Sequence, residues 1–397
     1  MADHGSRYEL AVVGGGLVGS AFAARAALGG FQVALLEAQP PRPFDPSSDL
    51  DLRVSALSRA SERLLRGLGA WQAIDPARRC AYERMVVWDA ASSGEVGFDA
   101  ADLGEPDLGH VVENLALQRA LWDAAGSAGV ARHAPATVTG FALATDHAEL
   151  TIADGTILAA RLVVAADGAG SPLRALVGLE VEDESYDQHA VVAHVRPALP
   201  HRHTAWQRFQ PSGPLALLPL ADGRCSIVWT TDPEHAAELL ALDDAAFGAA
   251  VSDAAGGRLG AIQAASARAR FPLRRLHATR YAAERVVLVG DAAHVVHPLA
   301  GQGVNLGFLD AQALAAVLGA ARAAGDDPGE PAVLRDYERA RRADNAAMVE
   351  LMDGFKRLFG SESVLVAAAR GAGMDAFYAS VPLKRAVMRR ALGLALA

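Results

Sequence analysis

The sequence predicts an α/β protein with a parallel sheet, a second and mostly antiparallel sheet, and a helical C-terminal region. Three observations predict this architecture. The chain opens with a strand, a glycine turn, a helix and a second strand, which is the βαβ pattern of a parallel sheet. Short alternating strands separated by turn residues occupy residues 182–271. From Val304 onwards the apolar residues recur at helical spacing.

The composition narrows the class of protein. The 397 residues suffice for two domains, and 51% of them are hydrophobic, so a large core is available. A net charge of −9, spread along the chain, argues against a nucleic-acid binder, which needs a basic face. Cys80 and Cys225 lie far apart and form no metal-binding pattern, and the short polar N-terminus lacks a secretory leader, so we expect a cytoplasmic protein. No uninterrupted apolar run reaches the ~18–20 residues of a membrane-spanning helix.

The first glycine turn has the full pattern of a dinucleotide-binding unit. A strand ending at Val13 runs into Gly14-x-Gly16-x-x-Gly19 and an alanine-rich helix, and the next strand ends at Glu37. Gly14 permits the tight turn, Gly16 admits a pyrophosphate, and Gly19 lets helix and strand pack closely. Glu37 is placed to accept hydrogen bonds from a ribose. Because all the parts occur in order, we interpret this stretch as nucleotide-binding rather than as a glycine-rich structural turn.

Arg53 and Gln118 are polar residues for which two interpretations remain open. Arg53 follows a loop rich in proline and aspartate, and it could reach back to the dinucleotide phosphates or pair with Asp49 or Asp51 at the surface. Gln118 stands near the start of a predicted helix, where an ordinary solvated helix face is the slightly favoured alternative.

A second buried strand ends in Asp167-Gly168, followed by a helix start at Ser171. Taken alone, this pattern favours an ordinary loop with a helix cap, which needs no ligand.

The middle block from 182 to 271 is predicted to form a separate sheet. Hairpin turns are expected at Pro211–Gly213 and Ala221–Gly223, and a helical insertion from 233 to about 266. Its large apolar residues could line a substrate pocket, although plain sheet core is the alternative for each one. The pocket candidates are Trp206, Phe209, Leu215 and Leu217.

A third strand end lies late in the chain. Gly290-Asp291 ends the strand, Pro298 forces an extended turn, and Gly301 and Gly303 let the backbone approach a ligand closely. A helix begins directly afterwards. Its free N–H groups and partial positive charge suit an anionic or electron-rich ligand.

The C-terminal region is predicted to be helical. A long charged helix covers 333–359, and a basic amphipathic helix covers 377–397. The second helix either docks on the protein or rests on an anionic membrane surface, and the sequence does not separate these alternatives.

Together the three strand ends resemble the flavoprotein aromatic hydroxylases, the single-component class A monooxygenases. Within that group the chain resembles the ubiquinone-biosynthesis hydroxylases, most clearly in Gly-Asp-Ala-Ala-His at 290–294 and His-Pro-Leu-Ala-Gly-Gln-Gly-Val-Asn-Leu-Gly at 297–307, with Asp310 beyond. Further matching segments are Leu52–Leu57, Gly109–Asn114, Trp206–Pro214 and Leu383-Lys384.

The resemblance implies a Rossmann-like FAD-binding domain with an inserted, mostly antiparallel β-sheet substrate domain and C-terminal helices. The FAD-binding domain would comprise 1–75, 106–180 and 272–345, the substrate domain 76–105 and 181–271, and the helical region 346–397. The implied FAD-binding residues are Gly14, Gly16, Leu17, Val18, Gly19, Glu37, Arg53, Gln118, Asp167, Asp291, Pro298, Gly301, Gly303, Val304 and Asn305.

The resemblance also implies the reaction. NAD(P)H would reduce FAD, and O₂ would then form a flavin C4a-hydroperoxide that hydroxylates the ring of a polyprenylated phenol in ubiquinone biosynthesis. A biosynthetic complex and the inner face of the membrane are the expected partners, and nucleic acid is not. Two alternatives stay open: a hydroxylase of a small soluble aromatic compound, and a non-catalytic flavin-binding subunit.

No side chain is identified as the base that would activate the phenol. His294 and His297 are candidates by position, but a turn-stabilising role is favoured for each.

Overall fold

The computed structural model describes residues 7–264, 266–297 and 301–394. The strands assigned in these ranges are β1 Arg7–Val13, β2 Val33–Leu36, β3 Val54–Ser58, β4 Arg79–Tyr82, β5 Arg84–Asp89, β6 Glu95–Asp99, β7 Gly109–Glu113, β8 Ala131–His133, β9 Val138–Leu143, β10 Ala148–Ile152, β11 Ile157–Ala165, β12 Val181–Pro197, β13 Thr204–Phe209, β14 Leu215–Pro219, β15 Cys225–Thr231, β16 Ile262–Ala264, β17 Ala269–Ala278, β18 Ala282–Ala283, β19 Val286–Leu288 and β20 His294–Val295. The helices are α1 Leu17–Leu28, α2 Arg59–Gly67, α3 Ala70–Ala73, α4 Asn114–Ser127, α5 Pro172–Leu176, α6 Pro233–Ala241, α7 Asp244–Ala254, α8 Gly303–Ala324, α9 Pro331–Phe359, α10 Val364–Ala379 and α11 Val381–Ala391.

The first sheet is built on parallel strands in the order β19–β11–β1–β2–β8. β2, β19 and the carboxyl-terminal halves of β1 and β11 are apolar runs, as is typical of parallel strands buried on both faces, and Leu10, Leu35 and Val163 have no exposed surface. Phe22 of α1 and Phe308 of α8 belong to the same core. Burial of each phenylalanine ring stabilises the fold by roughly 1.5–3 kcal/mol.

The second sheet has the order β20–β17–β12–β15–β14–β13–β5–β6, with β16 also paired to β12. All its pairs are antiparallel except β13 with β5. Helices α6 and α7 cover one face, where they share a core with Val191, Leu215 and Ile227. β3, β7 and β4 form a small third sheet in that order.

β12 carries a bulge at Tyr186 and Asp187. Its pairing with β17 shifts register between Ser185 and Gln188, and Asp187 adopts a left-handed conformation with φ 52°. A bulge bends the strand and redirects its side chains. The Tyr186 side chain is buried here, and its hydroxyl donates to Asp353 of α9 at 2.5 Å.

α8 is the one helix in the described ranges that is long and apolar enough to cross a membrane by length and composition. Half of its apolar stretch is buried. Phe308, Leu314 and Leu318 belong to the core of the first sheet, so the apolar character of α8 is accounted for by packing.

The predicted helix at 377–397 is two helices in the structure. α10 ends at Ala379, and α11 begins at Val381 with Pro382 in its first turn, where a proline is tolerated. One face of α11 docks on the protein, because Lys384 and Met388 are buried and Lys384 pairs with Asp102 at 2.9 Å.

Candidate functional site

The three glycine turns singled out in the sequence meet at one edge of the first sheet. The end of β1 pairs with the end of β11 (Val13 with Ala165), and the end of β11 pairs with the end of β19 (Ala165 with Leu288). Because these strands are parallel, their carboxyl ends lie side by side. This edge is where ligands bind in open α/β sheets.

Gly14 and Gly19 are required by close backbone approach. Gly14 has φ 105°, and a Cβ there would lie 2.3 Å from the Ala166 carbonyl oxygen. A Cβ on Gly19 would lie 1.9 Å from the Gly14 carbonyl oxygen. The first turn therefore packs tightly onto the second turn and onto its own helix.

Val18 joins α1 to the third turn and to α8. A Cβ on Gly307 would lie 2.5 Å from the Val18 side chain, and one on Gly290 would lie 3.2 Å from it. Glycine at these two positions lets α8 and the third turn close onto α1. Leu17 is half-buried against the same core, so both side chains pack against protein.

Open space remains beside Gly16 and Gly303, where a Cβ would meet no atom within 4 Å. These two residues lie at the N-termini of α1 and α8, where backbone N–H groups are free. A space flanked by two helix N-termini fits a ligand with an anionic pyrophosphate and an electron-rich ring. Glu37 accepts from the N–H of Gly15 at 2.6 Å and of Gln39 at 2.8 Å, and each carboxylate oxygen keeps a second lone pair.

The Asn305 side chain fixes the turn that opens α8. Its Oδ1 accepts from the Ser58 N–H and the Ser61 hydroxyl, and its Nδ2 donates to the carbonyl oxygens of Ala56 and Gly301, all within 3.1 Å. Only its backbone N–H is therefore left for a ligand. The Val304 side chain is half-buried against the core. Pro298 lies outside the described residues.

Asp291 faces the cleft at the end of β19, and its side chain is exposed. The surrounding protein raises the pKa of this carboxyl, and His294 and Arg53 oppose that rise. Arg53 is also exposed, with its guanidinium 5.9 Å from the Phe271 ring. The alternative partner Asp49 pairs instead with Arg224, at 2.5 Å.

Asp310 is the buried counterpart of Asp291. It has no exposed surface, and it accepts hydrogen bonds from the Gly290 N–H at 3.0 Å, His294 at 2.6 Å, Arg341 at 2.7 Å and Asn345 at 3.0 Å. Burial raises its pKa, but His294 and Arg341 outweigh that effect and hold the pKa at about 2. His294 is thus engaged behind the third turn in a network that supports Gly290.

Asp167 is used as a helix cap. Its two oxygens accept from the Ser171 hydroxyl at 2.5 Å and the Leu173 N–H at 3.0 Å. Arg174 was not predicted as a site residue. It donates to the carbonyl oxygens of Ala292 and Ala169, and so links the second turn to the third. Gln118 is half-buried on α4, which packs against α1.

The comparisons with known proteins agree with this geometry. Residues 7–352 match the family model described as FAD binding domain. The chain is 40% identical to 3-demethoxyubiquinol 3-hydroxylase of Escherichia coli (strain K12), over 97% of this chain and 98% of that protein. The chain belongs to the FAD-dependent hydroxylases of ubiquinone biosynthesis. The predicted family, fold class, monooxygenase activity, and cofactors FAD and NAD(P)H are therefore confirmed.

This hydroxylase is also similar to a mitochondrial relative and to a solved structure. It is 37% identical to the human mitochondrial ubiquinone biosynthesis monooxygenase COQ6, over 96% of this chain and 92% of that protein. Among solved structures, it is similar to p-nitrophenol 4-monooxygenase PnpA from Pseudomonas putida DLL-E4, with a TM-score of 0.77 over 98% of this chain and 99% of that one. The identity there is 20%, so this likeness concerns the fold alone.

The four pocket candidates of the second sheet lie in two different places. Trp206, Leu215 and Leu217 pack in the core that the second sheet shares with α6 and α7, whereas Phe209 lines the cavity at the end of α9. Strand alternation predicts which side chains share a face, but not which face meets a ligand. The half-exposed apolar residues of the opposite face include Val192, Leu218 and Val228.

A cavity of about 500 Å³ lies between the second sheet and the end of α9. Hydrogen bonds connect several of the residues that line it. The Tyr186 hydroxyl and Arg275 both donate to Asp353, at 2.5 and 2.6 Å, and Lys356 donates to the Tyr186 carbonyl oxygen at 2.9 Å. Burial, followed by the bond to Asp353, raises the pKa of the Tyr186 hydroxyl. Sequence reasoning missed these residues, because the bulge that aims Tyr186 has no sequence signal. Other residues lining the cavity include Gln188, Phe209, His297 and Phe359.

Proposed function

We propose that the hydroxylase acts on the aromatic ring of a polyprenylated phenol or benzoquinol in ubiquinone biosynthesis, with O₂ as the other substrate. The observation that carries the proposal is the meeting of three glycine turns and two helix N-termini around one open space, beside a cavity that borders the second sheet. The name of the relative from Escherichia coli supports this class of substrate.

The binding of FAD is proposed to divide between the first turn and the third turn. The N-terminus of α1 at Gly16 would hold the pyrophosphate, and Glu37 the adenosine ribose. Asp291 would accept hydrogen bonds from the ribityl hydroxyls. The N–H groups opening α8, at Gly303 and Val304, would stabilise negative charge on the flavin ring. Bound FAD supplies the redox and oxygen chemistry that no side chain provides.

The substrate is proposed to lie between the flavin and the second sheet. The ring would occupy the cavity lined by Phe209 and Tyr186. The prenyl chain would extend along half-exposed apolar residues such as Val192, Leu218 and Val228. Apolar surface of this kind favours a hydrocarbon chain by about 25 cal/mol per Å² buried.

Quinone profiling of a deletion strain by mass spectrometry tests the proposed substrate. We expect loss of ubiquinone and accumulation of a prenylated intermediate that lacks one ring hydroxyl, with recovery when the gene is restored. An unchanged quinone profile would contradict the proposal and favour a small soluble aromatic substrate. Recovery by a variant without flavin would favour a non-catalytic subunit.

We also propose that the C-terminal helices rest on the inner face of the membrane. Residues 351–397 carry seven Lys and Arg against three Asp and Glu, although the whole chain has a charge of −9. They also include most of the large hydrophobic residues exposed in the described ranges, and the end of α9 borders the cavity. A basic and apolar surface favours anionic lipid. Its most relevant apolar members are Leu351, Phe355, Leu358, Val364 and Leu365.

Vesicle co-sedimentation tests this surface. We expect binding to vesicles rich in phosphatidylglycerol, weakened by salt, and lost when Val364 and Leu365 are both replaced by aspartate. Leu199→Asp is the matched control, because Leu199 is 53% exposed and lies outside the C-terminal helices. Equal sedimentation of all three proteins would contradict the proposed membrane contact.

A further inference from the structure

The position of the proton on the His297 ring follows from its neighbour Gln188. The Gln188 amide nitrogen donates to the Ser212 carbonyl oxygen at 2.6 Å, so its amide oxygen is the atom that meets His297. That oxygen can only accept a hydrogen bond, and it lies 3.4 Å from Nε2 of His297. Nε2 must therefore carry the ring proton, and Nδ1 is left with a lone pair.

Within the part of the chain that the structure describes, this lone pair is buried and has no donor. The His297 residue is 1% exposed, and in the described ranges of the chain no group donates to Nδ1. The edge-to-face contact with Tyr186, 4.9 Å between ring centroids, holds the imidazole in place. A buried acceptor without a partner costs folding free energy, which a ligand that donates a hydrogen bond would recover.

His297 differs in its position from the other histidines that have a buried ring nitrogen without a partner in the described ranges. Those others are His110, His189, His194 and His294. Of these five histidines, only His297 lines the cavity beside the end of α9. It is also four positions before Gly301, which opens the proposed flavin turn.

We propose that Nδ1 of His297 accepts a hydrogen bond from the ring hydroxyl of the substrate, and so orients the ring toward the flavin. This inference rests on the proposed function. A phenol or benzoquinol carries the required O–H donor, and Phe209 and Phe359 supply aromatic walls for its ring. The hydrogen bond would fix the position of the hydroxyl and the aromatic walls would limit rotation of the ring, so together they would select the ring carbon that faces the flavin. His297 is then a substrate-binding residue.

A pair of probes that differ only in the hydroxyl tests the proposal. 2-Prenylphenol and prenylbenzene are titrated into the FAD-loaded protein, and binding is followed by the change in flavin absorbance. We expect the natural protein to bind the phenol about tenfold more tightly, as one neutral hydrogen bond implies. In His297→Leu this preference should disappear, with FAD content unchanged.

Two isosteric variants separate the acceptor from the bulk of the ring. In His297→Asn the amide oxygen can reach the position of Nδ1, so the preference for the phenol should return. In His297→Gln the amide reaches the position of Nε2, so the preference should remain lost. His194→Asn is the matched control, because His194 is a fully buried histidine with unpartnered nitrogens away from the cavity, and it should keep the tenfold preference.

Three outcomes would overturn the inference. The first is an unchanged preference for the phenol in His297→Leu. The second is no preference in the natural protein. The third is loss of FAD from His297→Leu, which would make a flavin N–H the donor. Failure of the natural protein to bind either probe would instead contradict the proposed substrate class, so the two failures are distinguishable.

Discussion

Three carboxylates near the three glycine turns differ in the hydrogen bonds that they make within the protein. Asp310 is fully buried among four donors, and Asp167 spends both oxygens on the cap of α5. Asp291 takes part in none of the described side-chain hydrogen bonds and is exposed to the cleft. Of these three carboxylates, Asp291 is therefore the one whose two oxygens are both open to a ligand.

Asp291→Ala should therefore lower FAD retention by tenfold or more while leaving the stability of the flavin-free protein within about 0.5 kcal/mol. Flavin absorbance after gel filtration measures retention, and urea unfolding measures stability. Asp167→Ala is the control, and it should cost about 1 kcal/mol of stability through the lost helix cap. Natural FAD content in Asp291→Ala would refute the assignment of the ribityl contact.

His297 should also make stability depend on pH. Burial, with a further contribution from Lys356, lowers the pKa of His297 to about 4. In the unfolded chain, the same histidine binds a proton near pH 6.5. The contribution of His297 to the free energy of unfolding is therefore complete above pH 6.5, and it is lost as the pH falls to about 4. It amounts to roughly 3 kcal/mol. Urea unfolding between pH 4.5 and 7.5 measures the free energy of unfolding at each pH. Its slope against pH should be shallower in His297→Asn than in the natural protein. An identical slope would contradict the assignment of this pH dependence to buried His297.

The sequence predicted side-chain partners well only where the local pattern sets them. The positions of Gly14, Gly19 and Asp291 follow from a strand, a turn and a helix in order. The partners of Asp310 do not follow from such a pattern. Arg341 and Asn345 belong to α9, and the dense charge of that helix favours a solvent-exposed face over a buried contact.

At the level of elements, the beginning of α8 contains a glycine, Gly303, whose missing side chain we attribute to a ligand rather than to protein packing. A Cβ on Gly303 meets no protein atom within 4 Å, whereas one on Gly307 would clash with Val18. The two glycines lie one turn apart on the same helix. We propose that Gly303 leaves space for the flavin, whereas Gly307 leaves space for Val18 of α1.

Gly303→Val should therefore weaken FAD binding at least tenfold and reduce hydroxylation, with little effect on the unfolding of the flavin-free protein. Fluorescence titration with FAD measures the affinity. Gly67→Val is the matched control: Gly67 is also helical with no atom within 4 Å of its Cβ, but it lies at the end of α2. Equal FAD affinity in both variants would argue against a flavin beside Gly303.

Strand patterns predicted the second sheet but not its orientation. The sequence groups Trp206 and Phe209 of β13 with Leu215 and Leu217 of β14 as pocket candidates. The strand pairing places Trp206 on the same face as Leu215 and Leu217, and Phe209 on the other face. The three residues that share a face pack on α6 and α7, not on the cavity. Both faces of these strands carry apolar residues, and only the position of the helices decides which face is core.

For the whole molecule, a buried ion pair anchors the C-terminal helices. Arg370 of α10 donates to Asp89 of β5 at 2.8 Å, and both side chains are 1% exposed. The two residues are 281 positions apart. No local pattern could have predicted this contact, because it arises from the packing of complete elements.

Arg370→Met should destabilise the protein by about 3–5 kcal/mol, because it leaves the buried Asp89 charge without a counter-ion, and in the described ranges only the Ser92 hydroxyl and the Ala91 N–H still donate to it. Chemical unfolding measures the loss. Arg339→Met is the control, since Arg339 pairs with Asp336 at the surface, where such pairs contribute about 0–1 kcal/mol. Similar losses in both variants would show that burial does not govern the strength of the Arg370 pair.

The parallel pairing of β11 with β19 also has a consequence for the synthesis of the protein. β1 and β11 emerge from the ribosome early, but the third strand of the flavin edge follows more than 120 residues after β11, and α8 only after that. Such distant pairings form slowly, because a long loop must close first. The nascent chain therefore cannot complete the proposed flavin site before Gly303 and the beginning of α8 have been made, and flavin uptake must wait for that helix.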